Sequence, residues 1–365
     1  MKVLHVATDY PYIKDNKVSN YGGLGLCVSQ LVGGLKDKGV EIDVLTRKDR
    51  GVGEFDELHE GVFRTWYFSP TKSRNWKLTH SFTMIPTLAK LLSKNNYDIV
   101  HMHNPPAAFI TNGIAKRYGA KTVMTMHGPW AAVREKLIGL ANGIEVYSMI
   151  KSDYITFDSD ALMKRYGFSD RFFAIPNAVD YNKFRPILKK DCREFLELGS
   201  APRTFLYSGR GVHGKDIHSI RRLAAKFGEY EFLIAGTKAR MDDFAIGNLK
   251  YLGTVSNDDM PMVYNACDAL ILDTKAEGMS RAILEAMACG KAVIASNIPS
   301  NKEVLETDGF LFSDYEELES LVSGLSAKDL KDVGTGARER IKENFGIDSR
   351  IDKFINLYDN IVNNG

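Results

Sequence analysis

The sequence predicts an α/β protein built from two Rossmann-like domains that face one another across a cleft, and three observations support this prediction. Short apolar runs alternate with helical patterns, and the alternation starts again near residue 204. The chain has 365 residues, enough for about two domains with separate cores. Strands that alternate with helices form parallel sheets whose strands are joined by crossover helices.

The first half of the chain is predicted to form one parallel sheet. Five short apolar runs have the length of buried strands and lie at residues 3–7, 42–46, 98–102, 122–126 and 154–157. Helices are predicted at residues 24–38 and 107–118, because each helical pattern is followed by a glycine, which commonly ends a helix.

The second half repeats this organisation. Its predicted strands lie at residues 204–207, 231–234, 269–272 and 292–295, and its predicted helices at 216–226, 258–266, 280–289 and 315–325. Three prolines bracket a charged stretch within residues 177–202, so we assign residues 1–180 to the first domain and 181–346 to the second. Ligands of parallel sheets bind outside the carboxyl ends of the strands, so two facing crevices would form one interdomain cleft.

Composition excludes several classes of protein. Hydrophobic residues are 44% and charged residues 26%, as expected of a soluble globular chain. The four cysteines lie far apart without a CxxC pair, which argues against a structural zinc or a disulfide framework and favours a reducing compartment. We expect no signal peptide and no membrane span, because no long apolar run occurs. A net charge of +2 argues against nucleic-acid binding.

One segment of the first domain is basic and aromatic. Residues 1–180 carry 23 Lys and Arg against 18 Asp and Glu, and most of the excess lies in residues 61–94, which hold six basic residues and no acidic one. Six aromatic side chains lie among them. This composition suits an anionic membrane surface or an anionic acceptor. The alternative is a strand followed by a solvated loop and helix.

The most informative stretch is residues 273–296. A helix is predicted from Ser280, a good N-cap, to Cys289, and Glu285 is its only charged residue after the first turn. A carboxylate buried without a partner costs several kcal/mol, so Glu285 needs hydrogen-bond donors, which ribose hydroxyls would supply. The alternative is a structural glutamate that is satisfied within the protein.

A second glutamate, Glu277, lies eight residues earlier, in the loop before this helix. The first N–H groups of a helix have no partner within the helix and attract anions. A diphosphate could therefore lie over Met279 and Ser280 while Glu277 binds a sugar hydroxyl beside it. The alternative is a charge that only caps the helix.

Two further stretches suit phosphate groups. Arg210 follows a predicted strand and Lys215 precedes the next helix, and both side chains bind phosphoryl oxygens well. In the first domain, Gly22 and Gly23 lie in a glycine-rich turn between the first strand and the first helix, where the backbone can approach a phosphate closely. The chain has neither a P-loop motif nor the GxGxxG pattern expected of NAD binding.

Three histidines end predicted strands of the first domain. His127 follows one strand and is predicted to point into the cleft. His101 and His103 end another strand and share one face, because they are two residues apart. We favour core or cleft-lining roles over metal binding for this pair, since no carboxylate lies near it in sequence.

Together these residues resemble the retaining family 4 glycosyltransferases of the GT-B fold over nearly the whole chain. The motifs that carry the resemblance are the Gly22–Gly23 turn, His127–Gly128, PNAVDYNKF at 176–184, Arg210 with Lys215, YLGTV at 251–255, and Glu277 with Glu285 in EGMSRAILEAMACGKAVIAS. The chain departs from the family in two places: Asp216 follows Lys215 where the family has glycine, and Glu277 opens EGMS in place of EGFG.

The resemblance implies a role for each motif. Glu285 would bind the ribose of a nucleotide-sugar donor, and Glu277 with the backbone of Gly278, Met279 and Ser280 would hold the sugar and the diphosphate. Arg210 and Lys215 would neutralise the leaving diphosphate, and Thr254 and Val255 would contact the base. His127 would lie near the transferred sugar, and the loop of Gly22 and Gly23 would close on the phosphates. The first domain would bind the acceptor, and a final helix at 347–363 would return to it.

The implied activity is transfer of a hexose or N-acetylhexosamine from a UDP- or GDP-linked donor to a glycan or lipid-linked hydroxyl, with an α-linkage retained. Two cations and a helix end would stabilise the leaving group, so we expect no metal and no other cofactor. We expect a cytoplasmic protein, with peripheral attachment to the inner membrane face through residues 61–94 as a hypothesis. The alternatives are a sugar-nucleotide 2-epimerase and a non-catalytic nucleotide-sugar-binding protein.

Overall fold

The structure is a computed structural model that describes residues 1–11, 13–14, 17–18, 22–48, 61–65, 76–130, 138–209, 217–236 and 247–363. The chain divides into two units. The first unit comprises Met1–Pro176 together with Ile347–Gly365, and the second comprises Asn177–Gly346. Both are α/β units built on a parallel sheet, which confirms the predicted fold class.

The first unit contains a seven-stranded parallel sheet in the order β5-β4-β1-β6-β7-β8-β9. Its strands are β1 (Lys2–Ala7), β4 (Glu41–Arg47), β5 (Val62–Thr65), β6 (Ile99–His103), β7 (Lys121–Met126), β8 (Tyr154–Phe157) and β9 (Phe172–Ala174). Two further strands, β2 (Ile13–Lys14) and β3 (Lys17–Val18), form a short antiparallel pair. The long strands are rich in β-branched and apolar residues and are buried nearly throughout, as strands covered on both faces must be.

Helices cover both faces of this sheet. On one face lie α1 (Gly22–Asp37) and the last helix of the chain, α14 (Ile347–Asn363). The other face carries α2 (Trp76–Thr83), α3 (Ile85–Lys94), α4 (Pro105–Arg117), α5 (Ile138–Lys151) and α6 (Asp160–Tyr166). Each face encloses its own apolar core. The core beneath α1 and α14 includes Phe354 and Tyr358 of α14, so the last helix is an integral part of the first unit.

A glycine lets α1 and α14 approach closely. A Cβ atom placed on Gly34 of α1 would lie 1.8 Å from Cδ1 of Ile351 on α14. Gly33, the preceding residue of α1, has open space at the same position. The helix contact therefore depends on the absence of a side chain at residue 34 and makes no such demand at residue 33.

The second unit repeats the design with six parallel strands in the order β12-β11-β10-β13-β14-β15. The strands are β10 (Thr204–Ser208), β11 (Glu231–Ala235), β12 (Leu249–Gly253), β13 (Ala269–Leu272), β14 (Ala292–Ser296) and β15 (Phe310–Phe312). The helices are α7 (Lys189–Phe195), α8 (His218–Lys226), α9 (Met260–Asn265), α10 (Arg281–Ala288), α11 (Pro299–Leu305), α12 (Tyr315–Gly324) and α13 (Ala327–Asn344).

The strand order of each sheet locates its ligand crevice. In the first unit the chain builds outward from β1 in one direction and then crosses to β6 to build in the other. The second unit makes the same reversal between β10 and β13. In open parallel sheets, ligands bind at the carboxyl ends of the two strands that flank such a reversal. The expected ligand crevices therefore lie at the carboxyl ends of β1 and β6 and at the carboxyl ends of β10 and β13.

The sequence predicted the central strands within one or two residues and missed the short edge strands β5, β9, β12 and β15. Within the described residues, no helix is long and apolar enough to cross a membrane.

Candidate functional site

The crevice of the second unit is formed by strand ends that hydrogen bonds hold together. Ser208 ends β10, and Asp273 and Thr274 directly follow β13. The backbone N–H of Thr274 donates to Oγ of Ser296 at the end of β14 (2.8 Å), and the Ser296 hydroxyl donates to Asp273 (3.1 Å). The chain then passes through residues 277–280 into α10. The predicted donor-binding residues of this segment therefore lie at the strand-order reversal.

Glu285 of α10 is buried and bonded within the protein. The Tyr264 hydroxyl donates to its Oε2 (3.0 Å), and Nη2 of Arg281 lies 3.1 Å from its Oε1. Tyr264 is also 3.5 Å from the Ser208 hydroxyl, which ties Glu285 to the end of β10. Burial and the Glu285 carboxylate raise the pKa of Tyr264 well above its usual value, so this hydroxyl remains a donor.

These partners correct one sequence expectation about Glu285. Ribose hydroxyls were expected to supply the donors that the buried carboxylate requires, and the chain itself supplies two of them. A carboxylate accepts about four hydrogen bonds. Glu285 is therefore held in place by Tyr264 and Arg281 and retains the capacity to accept hydrogen bonds from a ligand.

The residues just before α10 form its N-terminal approach. Gly278, Met279 and Ser280 are buried and Glu277 is partly exposed. Ser280 is the N-cap, as predicted, with extended backbone (φ −74°, ψ 119°), and its side chain makes no capping hydrogen bond to the helix. The N–H groups of the first turn have no carbonyl partner within the helix, so this end suits an anion.

The remaining predicted donor-site residues differ in what the structure describes. Arg210 and Lys215 lie outside the described residues, which end at Gly209 and resume at residue 217. Thr254 and Val255 follow β12, and Thr254 is exposed. Gly253, which precedes them, has φ +74°, a conformation that favours glycine. Thr254 and Val255 are thus at the carboxyl end of the sheet, at its edge strand.

In the first unit, His127 is held by two side chains. It directly follows β7, and its side chain is 11% exposed. Its Nδ1 lies 2.8 Å from Oδ2 of Asp158, and its Nε2 lies 3.1 Å from Nδ1 of His103. Asp158 directly follows β8 and His103 ends β6. Because β6, β7 and β8 are neighbours, all three side chains lie at the carboxyl end of the sheet.

A buried ion pair supports Asp158 from behind. Its other oxygen, Oδ1, lies 3.2 Å from Nη2 of Arg350 on α14, and Nη1 of Arg350 lies 2.9 Å from Sγ of Cys27 on α1. Asp158, Arg350 and Cys27 are all buried. We call these three residues and His127 the charge cluster. Two of its members lie on α1 and α14, and the other two directly follow β7 and β8.

The charge cluster controls the protonation of its members. Burial opposes a positive charge on His127, but the Asp158 carboxylate and Cys27 outweigh it and raise the pKa of His127 to about 9. Burial also opposes ionisation of Cys27, yet Arg350 and His127 bring the pKa of the thiol below its usual value. His127 is therefore an imidazolium at neutral pH, and its positive charge suits an oxygen-rich or anionic ligand.

A row of neutral histidines continues from His127 into the core. Nε2 of His103 lies 3.0 Å from Nδ1 of His5 on β1. Burial lowers the pKa of His5 to about 3 and holds the pKa of His103 well below its usual value. A protonated His127 donates from Nε2, so His103 accepts at Nδ1 and donates from Nε2 to His5. The row thus fixes which proton each ring carries.

Two clusters in this region have donor atoms close enough for a metal ion. They are His5 with His101 and His103, and Cys27 with His127 and Asp158; in each, the donor atoms lie within 4.8 Å of one another. Both nitrogens of His101 are already bonded, to Tyr358 and Thr125. In the second cluster a metal ion would have to displace the Arg350 guanidinium. Both arrangements fit a hydrogen-bonded network better than a metal centre.

The predicted glycine-rich turn has a different local structure. The sequence placed Gly22 and Gly23 in a turn before a helix that begins at residue 24, and that boundary was wrong. The structure begins α1 at Gly22, which has φ +73°, so both glycines belong to the first turn of the helix. Their N–H groups are then among those without a partner inside the helix, an arrangement that still suits an anion.

Sequence reasoning missed several residues that the structure brings to these sites. Asp158 follows a strand as His127 does, so its position carried a signal that was not used. Arg350, Cys27 and Tyr264 carried none, because each is far in sequence from the residue that it contacts. Asn104, directly after β6, has φ 84° and ψ 154°, a region that is almost exclusive to glycine and marks strain at the strand-order reversal.

Comparison with known families assigns both units. The family described as Glycosyltransferase Family 4 matches residues 21–183, and the family described as Glycosyl transferases group 1 matches residues 189–344. Among characterised proteins, a UDP-Gal:alpha-D-GlcNAc-diphosphoundecaprenol alpha-1,3-galactosyltransferase of Escherichia coli is 29% identical over 82% of this chain and 84% of its own. A phosphatidyl-myo-inositol mannosyltransferase of Mycolicibacterium smegmatis is 24% identical over 78% and 75%.

Solved structures share the fold at low sequence identity. Sucrose-phosphate synthase from Thermosynechococcus elongatus superposes with a TM-score of 0.85 at 18% identity, over the whole of both chains. Anabaena HepE in complex with UDP and glucose superposes with a TM-score of 0.77 at 17% identity, over 98% of this chain and 99% of its own. The resemblance deduced from the motifs and the architecture of the two sheets therefore agree.

Proposed function

Because the chain belongs to the family 4 glycosyltransferases of the GT-B fold, we propose that it is a retaining enzyme that acts without a metal ion. It transfers a hexose or N-acetylhexosamine from a UDP- or GDP-linked donor to a hydroxyl of a glycan or lipid-linked acceptor and forms an α-glycosidic bond. The observation that supports this best is Glu285, a buried carboxylate at the strand-order reversal, held by Tyr264 and Arg281 beside the N-terminus of α10.

The donor is bound by the second unit. Glu285 accepts hydrogen bonds from the ribose hydroxyls, and Thr254 and Val255 contact the base. Glu277 binds a hydroxyl of the sugar, and the N–H groups at the start of α10 bind the diphosphate. Arg210 and Lys215 add positive charge there as the diphosphate leaves. Groups already in place where negative charge develops lower the barrier without reorganisation, which is the contribution a divalent metal makes elsewhere.

His127 acts on the transferred sugar from the first unit. His127 is an imidazolium whose Nδ1 donates a hydrogen bond to Asp158, and this bond fixes the orientation of the ring. Its positive charge attracts oxygen atoms that lie near it. The acceptor hydroxyl attacks the anomeric carbon from the face that the diphosphate leaves, the bond to the diphosphate breaks, and the hydroxyl proton passes to the departing diphosphate oxygen, so the α configuration is kept. Gly22 and Gly23, at the start of α1, lie against the phosphates.

The names of two relatives support a lipid-linked acceptor. One acts on a diphosphoundecaprenol-linked sugar and uses UDP-Gal, and the other acts on phosphatidyl-myo-inositol. HepE was solved with UDP. We therefore place UDP sugars first among donors and lipid-linked glycans first among acceptors. Such an acceptor lies in a bilayer, so the enzyme works at the inner face of the membrane, attached peripherally, with residues 61–94 among the attachment residues.

Thermal unfolding with nucleotides tests the donor site. UDP, GDP, ADP, UDP-glucose, UDP-GlcNAc and GDP-mannose are each added with and without EDTA. A ligand at 100 times its dissociation constant adds about 2.7 kcal/mol to the free energy of unfolding, which raises the melting temperature. We expect one base family to do so, equally with EDTA. A shift abolished by EDTA would contradict metal independence.

A matched pair of variants tests Glu285. Glu231 is also a buried glutamate of the second unit, paired with Arg193 and Lys250, but it begins β11 and so lies at the amino ends of the strands, away from the crevice. Glu231→Gln should lower the melting temperature and leave the nucleotide-induced shift intact. Glu285→Gln should weaken nucleotide binding at least tenfold. Equal nucleotide shifts in the two variants would remove Glu285 from the donor site.

Transfer itself is tested with a soluble acceptor analogue. NMR of the purified product gives the configuration of the new bond from the coupling of its anomeric proton. An α-linked product from an α-linked donor supports retention, and a β-linked product would refute it. Lys215→Ala should abolish most of the turnover while leaving the fold intact, and near-normal turnover would refute the proposed leaving-group role.

A further inference from the structure

Helix α5 of the first unit has an apolar surface that faces solvent. Leu140, Val146, Tyr147 and Ile150 are exposed by 58%, 54%, 44% and 63%. No acidic residue lies on this side of the helix, whose other exposed residues from 139 onward are two glycines, one asparagine and Lys151. A surface helix of a soluble domain normally shows the reverse pattern. We call these four side chains the α5 row.

The buried side of α5 combines apolar and polar side chains, since Ala141, Ile144 and Met149 pack into the core there. Glu145 is 6% exposed and accepts a hydrogen bond from the Tyr166 hydroxyl (2.7 Å), and the buried Ser148 hydroxyl donates to the carbonyl of Pro105 (3.0 Å). The helix is therefore docked through apolar and polar contacts together, and four further apolar side chains remain exposed. Large exposed apolar patches on soluble domains mark surfaces that bind a partner.

Charge distinguishes the helix layer around the α5 row from the other face of the same sheet. Helices α2 to α6 contain eight Lys and Arg residues against two acidic residues, of which Glu145 is buried. Helices α1 and α14, on the opposite face, contain three basic and four acidic residues. Lys90, Lys94, Arg117 and Lys151 are exposed on the basic layer. Basic and apolar side chains thus share one side of the unit.

More exposed apolar groups accompany these helices. Phe82 of α2 is 56% exposed, and Phe168, two residues after the end of α6, is 80% exposed. Tyr147 contacts the ring of Phe109 on α4 edge-on, and Nζ of Lys151 lies 5.8 Å from the centre of the Tyr147 ring. An aromatic ring beside a lysine is typical of the boundary between lipid tails and headgroups, because the ring is amphipathic and the ammonium stays with the phosphates.

We propose that the layer of helices α2 to α6, with the α5 row at its centre, is the surface through which this protein binds an anionic lipid bilayer. The proposal rests on the lipid-linked acceptor of the proposed function and assigns the residues that reach the membrane. The proposed surface overlaps the segment predicted from the sequence, residues 61–94, because α3 lies in both. It extends beyond that segment to the α5 row.

A second copy of the chain is the other candidate for covering the α5 row. A twofold interface would place the same patch against itself, so the excess of positive charge would face an equal excess. Like charges that face each other across an interface cost energy. An anionic bilayer offers apolar depth for the α5 row and negative charge for the lysines around it. Charge complementarity therefore favours lipid over self-association.

The test measures binding of the full-length protein to vesicles of phosphatidylcholine alone and of phosphatidylcholine with phosphatidylglycerol. We expect binding to the anionic vesicles, lowered at least tenfold by Leu140→Ser/Ile150→Ser. Lys90→Glu/Lys151→Glu should lower it by a similar factor, since one lysine near an anionic surface is worth roughly fivefold. Both pairs are exposed, so the melting temperature should not change.

Matched control variants distinguish binding through this surface from nonspecific adsorption to vesicles. Leu188 and Phe195 of the second unit are 72% and 56% exposed, and Lys353 is exposed on α14. Leu188→Ser/Phe195→Ser and Lys353→Glu should bind vesicles as the wild type does. Equal binding to both vesicle types, or equal loss in test and control variants, would overturn the proposal. A dimer in sedimentation that Leu140→Ser/Ile150→Ser dissociates, without vesicle binding, would assign the α5 row to self-association.

The outcome is distinguishable from failure of the proposed function. Donor turnover is measured without vesicles, with a water-soluble acceptor analogue. Turnover without vesicle binding overturns the membrane surface alone. Vesicle binding without turnover of any donor overturns the transferase activity alone. The Leu140→Ser/Ile150→Ser protein should retain wild-type turnover of the soluble acceptor, because none of the residues assigned to donor binding or transfer belongs to the α5 row.

Discussion

Replacing Asp158 by Asn removes the carboxylate that keeps His127 protonated. The pKa of His127 is about 9, and the usual value is 6.5, a difference of about 2.5 units. At 1.36 kcal/mol per unit, the charge interaction contributes about 3 kcal/mol to the free energy of unfolding when fully present. The substitution also leaves Arg350 buried without its carboxylate, and breaking a buried ion pair costs about 3–5 kcal/mol.

The sign of the pH dependence follows from the direction of the shift. The folded state binds the proton more tightly than the unfolded state, so the contribution of His127 is complete below pH 6.5 and is lost as the pH rises through about 9. It amounts to about 2 kcal/mol at pH 7.5 and vanishes by about pH 10. The difference in stability between wild type and Asp158→Asn should therefore shrink by about 3 kcal/mol from pH 6 to pH 10.

Urea unfolding followed by tryptophan fluorescence measures this difference. The three tryptophans, at residues 66, 76 and 130, all belong to the first unit, so the signal reports on the unit that contains the charge cluster. Asp153→Asn is the matched control. Lys116 and Thr122 hold the pKa of Asp153 below its usual value despite burial, so its contribution is lost as the pH falls. Between pH 6 and pH 10 the stability deficit of Asp158→Asn should therefore shrink, whereas that of Asp153→Asn should stay constant.

A direct measurement on the wild type keeps the reasoning testable if Asp158→Asn fails to fold. Nitrogen NMR of the histidine rings distinguishes imidazolium from the two neutral tautomers. We expect His127 to be an imidazolium at pH 7.5, and His5 and His103 to be neutral. A neutral His127 ring at pH 7.5, or parallel pH profiles for Asp158→Asn and wild type, would refute the account of the charge cluster.

Two further predictions concern packing and the donor site. Gly34→Ala places a methyl group against Ile351 and should lower the free energy of unfolding by about 1–3 kcal/mol, measured by tryptophan fluorescence. Gly33→Ala, which meets open space, should be neutral or slightly stabilising. Equal effects of the two substitutions would contradict the close helix contact. Tyr264→Phe removes a hydrogen bond to the Glu285 carboxylate and should lower the free energy of unfolding of the second unit by about 1.5–3 kcal/mol, measured by circular dichroism. Unchanged stability would mean that this hydrogen bond is not formed.

The fold could be predicted from the sequence wherever burial requires a regular pattern of apolar residues. The central strands of both sheets are continuous apolar runs because helices cover both faces, so their limits can be read within one or two residues. The edge strands β9 and β15 have three residues each, too few for a periodic signal. Helix α5 was not predicted, because apolar residues lie on both its buried and its exposed sides and leave no polar face to mark the helical period.

The candidate site was accessible only in part. Glu285 stands out because it is the only charged residue after the first turn of an apolar helix pattern, and the structure shows that it is buried. Its protein partners could not be foreseen, since Tyr264 comes from α9, 21 residues away. Arg350 and Asp158 are separated by 192 residues. Such pairs depend on how the chain returns in space, which no local pattern encodes.

The return of α14 to the first unit has a consequence for the order of events during synthesis. Residues 177–346 are made between the last strand of the first unit and the helix that completes it. Until α14 emerges, the face covered by Phe354 and Tyr358 stays open and Asp158 lacks its guanidinium partner. The first unit therefore remains incompletely folded during synthesis while the second unit is made. We expect chaperones to bind ribosome-bound chains that end before residue 347.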